Sequence, residues 1–127
     1  MGTRSTVKFY EEGKMMLGVY QQYDGYIEGV GAQIAELLEK YTIVNGVGGE
    51  GTANGFGELA LFYITNYKTD NGNLYATTED DIQEYNYVLT GRWADSSIKV
   101  SVTDCEGHSL FSGDSSEFVE WVKEYSK

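Results

Sequence analysis

Two blocks of alternating sequence, residues 5–22 and 74–112, flank a stretch whose apolar residues recur at helical spacing. Alternation gives each strand one apolar row, and that row needs cover, so the central helices must pack against a sheet built from both blocks. Residues 5–10, Ser-Thr-Val-Lys-Phe-Tyr, read as the first strand. Glu11-Glu12-Gly13-Lys14 reads as a turn, and residues 15–22 return with Leu17 and Val19 on one face, completing a hairpin.

Asp24-Gly25 breaks the second strand. Ile27, Val30, Ile34, Leu37, Leu38 and Tyr41 then predict a helix over 27–41. Glu28 and Lys40 suit the two ends of its dipole. A glycine-rich connection covers 45–57. The next helix is expected to start at Thr52 or Asn54, both good caps, and to bury Phe56, Leu59, Ala60, Tyr63 and Tyr67. Asp70-Asn71-Gly72-Asn73 stops it.

Strands are expected at Leu74–Thr77, Glu84–Thr90, Ile98–Thr103 and Ser109–Ser112. Asp114 and Glu117 have the spacing of a capping box at the head of a last helix, whose apolar face is Phe118, Trp121, Val122 and Tyr125. The order is β-β-α-α-β-β-β-β-α. Short connections join every neighbouring strand pair except the one that spans the two helices. The expected fold is therefore α+β, a mostly antiparallel sheet with helices packed on one face.

Residues 1–127 read as a single domain, with no proline, repeat or linker to divide them. Cys105 is the only cysteine, which excludes an internal disulfide and fits a reducing, cytoplasmic setting. With His108 as the only histidine, no ordinary zinc site can form, and the expectation is no metal and no cofactor. No stretch has the length of a membrane span, and residues 1–7 carry no apolar segment of a secretory signal. The net charge of −11, from 20 acidic and 9 basic residues, argues against direct nucleic-acid binding and permits a basic partner. The same charge also serves solubility.

Four places have chemistry to consider. Gln21, Gln22, Tyr23, Asp24 and Tyr26 crowd onto the turn before the first helix. They can bind the edge of a base, sugar or peptide while a tyrosine stacks, and Asp24 can equally cap the helix. Arg4 can pair with Asp24 across the sheet end, or hold an anion with its planar fork. With Asn45 and Asn54, these residues define a candidate pocket for a nucleotide-like small molecule, at the junction of the hairpin and the helix starts. The glycine-rich stretch 46–57 lacks the endings of a phosphate loop or a dinucleotide fingerprint and reads as a surface loop.

The third place is the acidic run Glu79-Asp80-Asp81 with Glu84, extended by Glu117, Glu120 and Glu124 of the last helix. It reads as a solvated loop or as a phosphate-mimicking surface for a basic partner. Calcium-loop spacing is absent. The fourth is Cys105-Glu106-Gly107-His108, expected at a hairpin tip without an orienting third group, and so not a nucleophile site. No catalytic constellation is in view, and the expectation is a non-enzymatic protein.

Gly2-Thr3-Arg4-Ser5-Thr6, Val19-Tyr20-Gln21-Gln22-Tyr23-Asp24-Gly25-Tyr26, Gly29-Val30-Gly31, Ile43-Val44-Asn45-Gly46 and Thr52-Ala53-Asn54-Gly55-Phe56-Gly57, continued by Tyr85 and Tyr87, carry a resemblance. Over residues 2–90 or so, the chain resembles a family of small uncharacterised proteins of tailed phages, prophages and some large DNA viruses. Members often follow the Asn-Gly segment with a Leu-Ala-Ala-Gln run. Glu58-Leu59-Ala60-Leu61 stands here instead, so any role of that glutamine is lost. The resemblance implies a phage-type source. By analogy with small acidic phage proteins, it implies a host protein with a basic surface as partner, such as a CRISPR effector or another defence nuclease that the chain would inhibit.

Overall fold

A computed structural model describes residues 2–92 and 97–125. The fold is α+β, with a mixed six-stranded sheet and three helices packed on one of its faces. The strands are β1 (Ser5–Glu11), β2 (Lys14–Gln21), β3 (Thr42–Val44), β4 (Thr52–Asn54), β5 (Leu74–Ala76), β6 (Tyr85–Gly91), β7 (Ile98–Asp104) and β8 (Ser109–Asp114). The helices are α1 (Ala32–Lys40), α2 (Gly55–Tyr67) and α3 (Ser115–Tyr125).

In the main sheet the strand order is β5-β2-β1-β6-β7-β8. Every neighbouring pair is antiparallel except β1 and β6, which run parallel at the centre with Val7 beside Tyr87. The β1–β2 hairpin turns on Glu12 and Gly13, both with positive φ (50° and 83°), the left-handed pair that matches strand twist. A bulge between Phe9 and Tyr10 follows, and it brings Met16 alongside Gly57 of α2.

One face of the sheet is apolar. Val7, Phe9, Val19, Tyr87, Leu89, Val100 and Val102 are all buried there, against Ile34, Leu37, Leu59, Tyr63, Phe118 and Val122 of the helices. The Phe9 ring meets Phe56 and Tyr63 of α2 at 5.9 and 5.8 Å. α1 lies between α2 and α3, and α3 covers β7 and β8 through Phe111, Phe118 and Trp121. Gly91 leaves room for Phe56, because a Cβ there would lie 2.5 Å from the ring.

Four local expectations need correction. Between α1 and α2 the chain forms two further strands paired parallel, β3 just before the glycine-rich connection and β4 within it. Three residues are too few for a period to show, and this adds two strands to the expected order. The first helix does not run as one α-helix over 27–41. Residues Ile27–Gly31 form a π-helical turn, and α1 begins at Ala32. Asp24 does not cap with its side chain. Its main-chain oxygen accepts the Val30 N–H at 2.9 Å, with Asp24 itself at φ 60°. At the head of α2, the Asn54 side chain turns away to accept the Gly46 N–H at 2.9 Å, and Glu58 reaches back to the Asn54 N–H at 2.6 Å.

Asp114 and Glu117 do form the expected capping box. The Asp114 N–H donates to Glu117 Oε1 at 2.9 Å and the Glu117 N–H to Asp114 Oδ1 at 2.8 Å.

Candidate functional site: an acidic strap and a polar cleft

The chain between β5 and β6 must pass over β2 and β1, because β5 lies outside β2 and β6 lies inside β1. It crosses on the face away from the helices. Lys8 points to that face and is only 3% exposed. Its ammonium donates to the main-chain oxygens of Glu79 and Asp81, each at 2.7 Å. Burial holds the Lys8 pKa below its ordinary value, while Asp81, Asp80 and Glu79 nearby work in the opposite direction.

A second tie lies one strand over. Asn86, also buried, accepts the Gln83 N–H at 2.9 Å and donates to the Gln83 oxygen at 2.8 Å. Thr6 Oγ1 donates to the same Asn86 Oδ1 at 2.8 Å. The strap is braced within itself as well. Thr77 and Gln83 donate to the two Asp81 oxygens, at 2.5 and 2.6 Å. Thr78 donates to Asp80 at 2.5 Å and holds that carboxyl below the usual range. Glu79, Asp80, Ile82 and Glu84 remain exposed. The main chain of residues 79–83 is therefore anchored, and most of its carboxylates face solvent.

The remaining acidic candidates lie elsewhere. Glu117, Glu120 and Glu124 belong to α3, in the helix layer on the opposite face of the sheet, and Glu117 is engaged in the capping box. The acidic run and the last helix are thus two surfaces rather than the one expected from the sequence.

The eight candidate pocket residues do not form one pocket, and five of them divide between clefts at the two ends of α2, a helix about 20 Å long at 1.5 Å per residue. Gln21, Tyr23 and Asp24 line a cleft of about 240 Å3 at the carboxyl end, with Gln33, Tyr67 and Asp70. Asn45 and Asn54 line a cleft of about 210 Å3 at the amino end, with Met16, Phe56 and Arg92. Gln22 ties its N–H to Asn73 at 3.3 Å, and the Tyr26 hydroxyl donates to Asp24 at 3.2 Å. Arg4 is exposed, and its main-chain N–H donates to Glu84 at 3.3 Å. No ion pair joins Arg4 to Asp24 among the described residues.

Beneath the first cleft lies a hydrogen-bonded network that periodicity does not show. Gln21, 5% exposed, donates to the Tyr23 oxygen at 3.0 Å. The buried Tyr63 hydroxyl lies 3.3 Å from Gln21 Oε1 and 3.2 Å from Gln33 Oε1, so its one proton serves one of them at a time. Tyr67 lies 2.5 Å from Glu36 and 2.9 Å from the Gln33 oxygen. Burial pushes both phenols above their ordinary pKa, and Glu36 adds to the effect at Tyr67. Gln33, Tyr67, Thr69, Asp70 and Asn73 are not among the sequence candidates for a site: Tyr67 reads there as core, and Asp70 and Asn73 only as the polar run that stops α2.

The tip between β7 and β8 differs from expectation in one respect. His108 Nδ1 lies 3.1 Å from Asp104 Oδ2 and 3.9 Å from Glu106 Oε1, so the imidazole does have an orienting carboxylate. Ligand atoms of these three residues converge within 4.8 Å, and the exposed Cys105 thiol is not part of the group. Two N–H bonds, from His108 and Glu106, hold the Asp104 carboxyl below its usual range.

Among the described residues no helix is long and apolar enough to cross a membrane. No protein-family model, no curated protein and no solved structure matches the chain.

Proposed function

We propose that the protein is a non-enzymatic binding protein whose strap, residues 77–84, meets a basic surface on a protein partner. One observation carries the reading: Lys8 grips the strap by main-chain carbonyls and not by carboxylates. The buried lysine thus fixes the loop without using its carboxylates, and Glu79, Asp80 and Glu84, which accept one bond each from Tyr10, Thr78 and the Arg4 N–H, stay exposed to solvent. A loop ordered before binding loses little conformational entropy on association, which favours affinity. Exposed Ile82 among those carboxylates adds an apolar contact of the kind found at the centre of protein interfaces.

The net charge of −11 supports steering towards a basic partner and opposes direct contact with nucleic acid. The resemblance of residues 2–90 to phage and prophage proteins supports a host protein as that partner. A defence nuclease, such as a CRISPR effector, has a basic nucleic-acid channel of the charge such a surface fits. Inhibition would then follow from occupancy of the channel, with no chemistry required of this chain.

The test is affinity capture from host lysate, at low and at moderate salt, with the wild-type protein and with the Glu79→Lys, Asp80→Lys, Glu84→Lys variant. Asp81 is left in place because it braces the loop. A protein retained by the wild type at low salt only, and not by the folded variant, is the expected result. Equal retention on both, or a small molecule recovered with no protein, counts against the proposal.

A further inference from the structure

The cleft at the carboxyl end of α2 has a consistent electrostatic character. Asp24 and Asp70 bring two carboxylates to its wall, and Gln21, Gln33 and Asn73 bring amides. The negative end of the α2 dipole points at it, and α2 has 13 residues over which that dipole builds. The Lys68 ammonium, just past the end of α2, donates to the main-chain oxygen of Asp70 and to Asn73 Oδ1 at 3.1 Å. An anionic ligand such as a nucleotide phosphate would meet two carboxylates and a helix carboxyl end there.

Tyr23 adds a ring at the mouth, half-exposed at 51% and backed by Gly2, where a Cβ would lie 2.5 Å from the ring. The amide oxygens of Gln21 and Gln33 face the Tyr63 hydroxyl and that of Asn73 accepts from Lys68, so the acceptors for a ligand are the two carboxylates. A half-exposed phenol ring beside two carboxylates suits a planar cation, which can stack on the ring while donating to them. The volume, about 240 Å3, is below the roughly 300–1,000 Å3 of sites for drug-sized ligands and suits a single side chain.

We infer that this cleft takes the guanidinium of an arginine side chain presented by the partner. The inference rests on the binding reading above and adds a second contact to it. The cleft opens at the sheet end where Gln21, Ser5 and Tyr85 sit in register, and Glu84 of the strap borders that same end.

Ethylguanidinium and its neutral isostere ethylurea are the probes, titrated into the whole protein without any partner and followed by the side-chain amide NMR signals of Gln21, Gln33 and Asn73. Saturable shifts with ethylguanidinium and none with ethylurea are expected. Asp24→Asn with Asp70→Asn should weaken binding about tenfold or more, as charged hydrogen bonds are lost. Lys68→Met should tighten it about threefold by removing a like charge from the rim. Equal shifts with ethylurea, binding of inorganic phosphate instead, or no response to ethylguanidinium each overturns the inference. The two readings fail separately. If the probe binds while strap reversal leaves partner capture intact, the strap reading alone falls. If strap reversal abolishes capture while the probe does not bind, the cleft reading alone falls.

Discussion

Lys8 Nζ donates to the main-chain oxygen of Asp81 at 2.7 Å, across 73 residues of sequence, and leaves the Asp81 carboxylate to Thr77 and Gln83. A lysine bound to main-chain carbonyls satisfies its donors without consuming the acidic side chains around it. Lys8→Met should destabilise the fold by about 1–3 kcal/mol, since two carbonyls lose a charged donor at a buried position. Amide exchange at Thr77 and Asp81, whose N–H groups bond to Gly18 and Thr78, should accelerate more than exchange in α1. Unchanged exchange in the strap would show that Lys8 does not hold it.

Ser5 tests the opposite case. Its hydroxyl is fully buried and has no hydrogen-bond partner among the described residues, packed against Gly25, where a Cβ would lie 2.7 Å from the Ser5 Cβ. Ser5→Ala should be neutral or stabilising by up to about 1 kcal/mol, because an unpaired buried hydroxyl already carries a desolvation cost. Denaturant unfolding of the two proteins decides this, and a loss of stability would mean that the hydroxyl has a partner in solution.

Tyr63, Tyr67 and Tyr87 have folded-state pKa values raised above the ordinary 10.0, chiefly by burial. A raised pKa means that the folded state holds its proton more tightly than the unfolded chain does. The stability these phenols contribute is thus complete below pH 10 and falls as the pH rises above it. Tyrosinate absorbance should show exposed phenols titrating first and the buried ones ionising only as circular dichroism reports unfolding. Ionisation of all 11 tyrosines in a chain that remains folded would contradict this.

The reciprocal bonds between Asp114 and Glu117 predict that Glu117→Ala costs about 0.5–2 kcal/mol, with the loss concentrated at the start of α3. Thermal unfolding measures it. Glu120→Ala, exposed on the same helix, serves as the control and should change little.

What the sequence disclosed divides by the distance over which each feature is encoded. The Asp114–Glu117 box and the Glu12-Gly13 turn are legible because their partners lie within a few residues, and the long strands are legible through their alternation. The parallel seam of β1 on β6 is not, because it joins Ser5 to Tyr85 and no local pattern specifies such a pairing. The same limit hid the strap. Lys8 reads from sequence as the polar side of a strand, and its partners are 71 and 73 residues away. In the cleft, Gln21, Tyr23 and Asp24 were legible as an unusual polar turn. Gln33 and Asp70 reach it from the start of α1 and the end of α2, elements whose relative placement depends on the core between them. Asn45 and Asn54 were grouped with that turn as ends of elements, but the length of α2 places them at its other end.

The central claim is that the outward carboxylates of the anchored strap bind a basic partner. Titration calorimetry of the captured partner with the wild type and with the folded Glu79→Lys, Asp80→Lys, Glu84→Lys variant, at two salt concentrations, tests it most directly. The account predicts tight binding by the wild type that weakens as salt rises, and a variant with both lower affinity and a much smaller salt dependence. Equal affinity and equal salt dependence for the two proteins would contradict it.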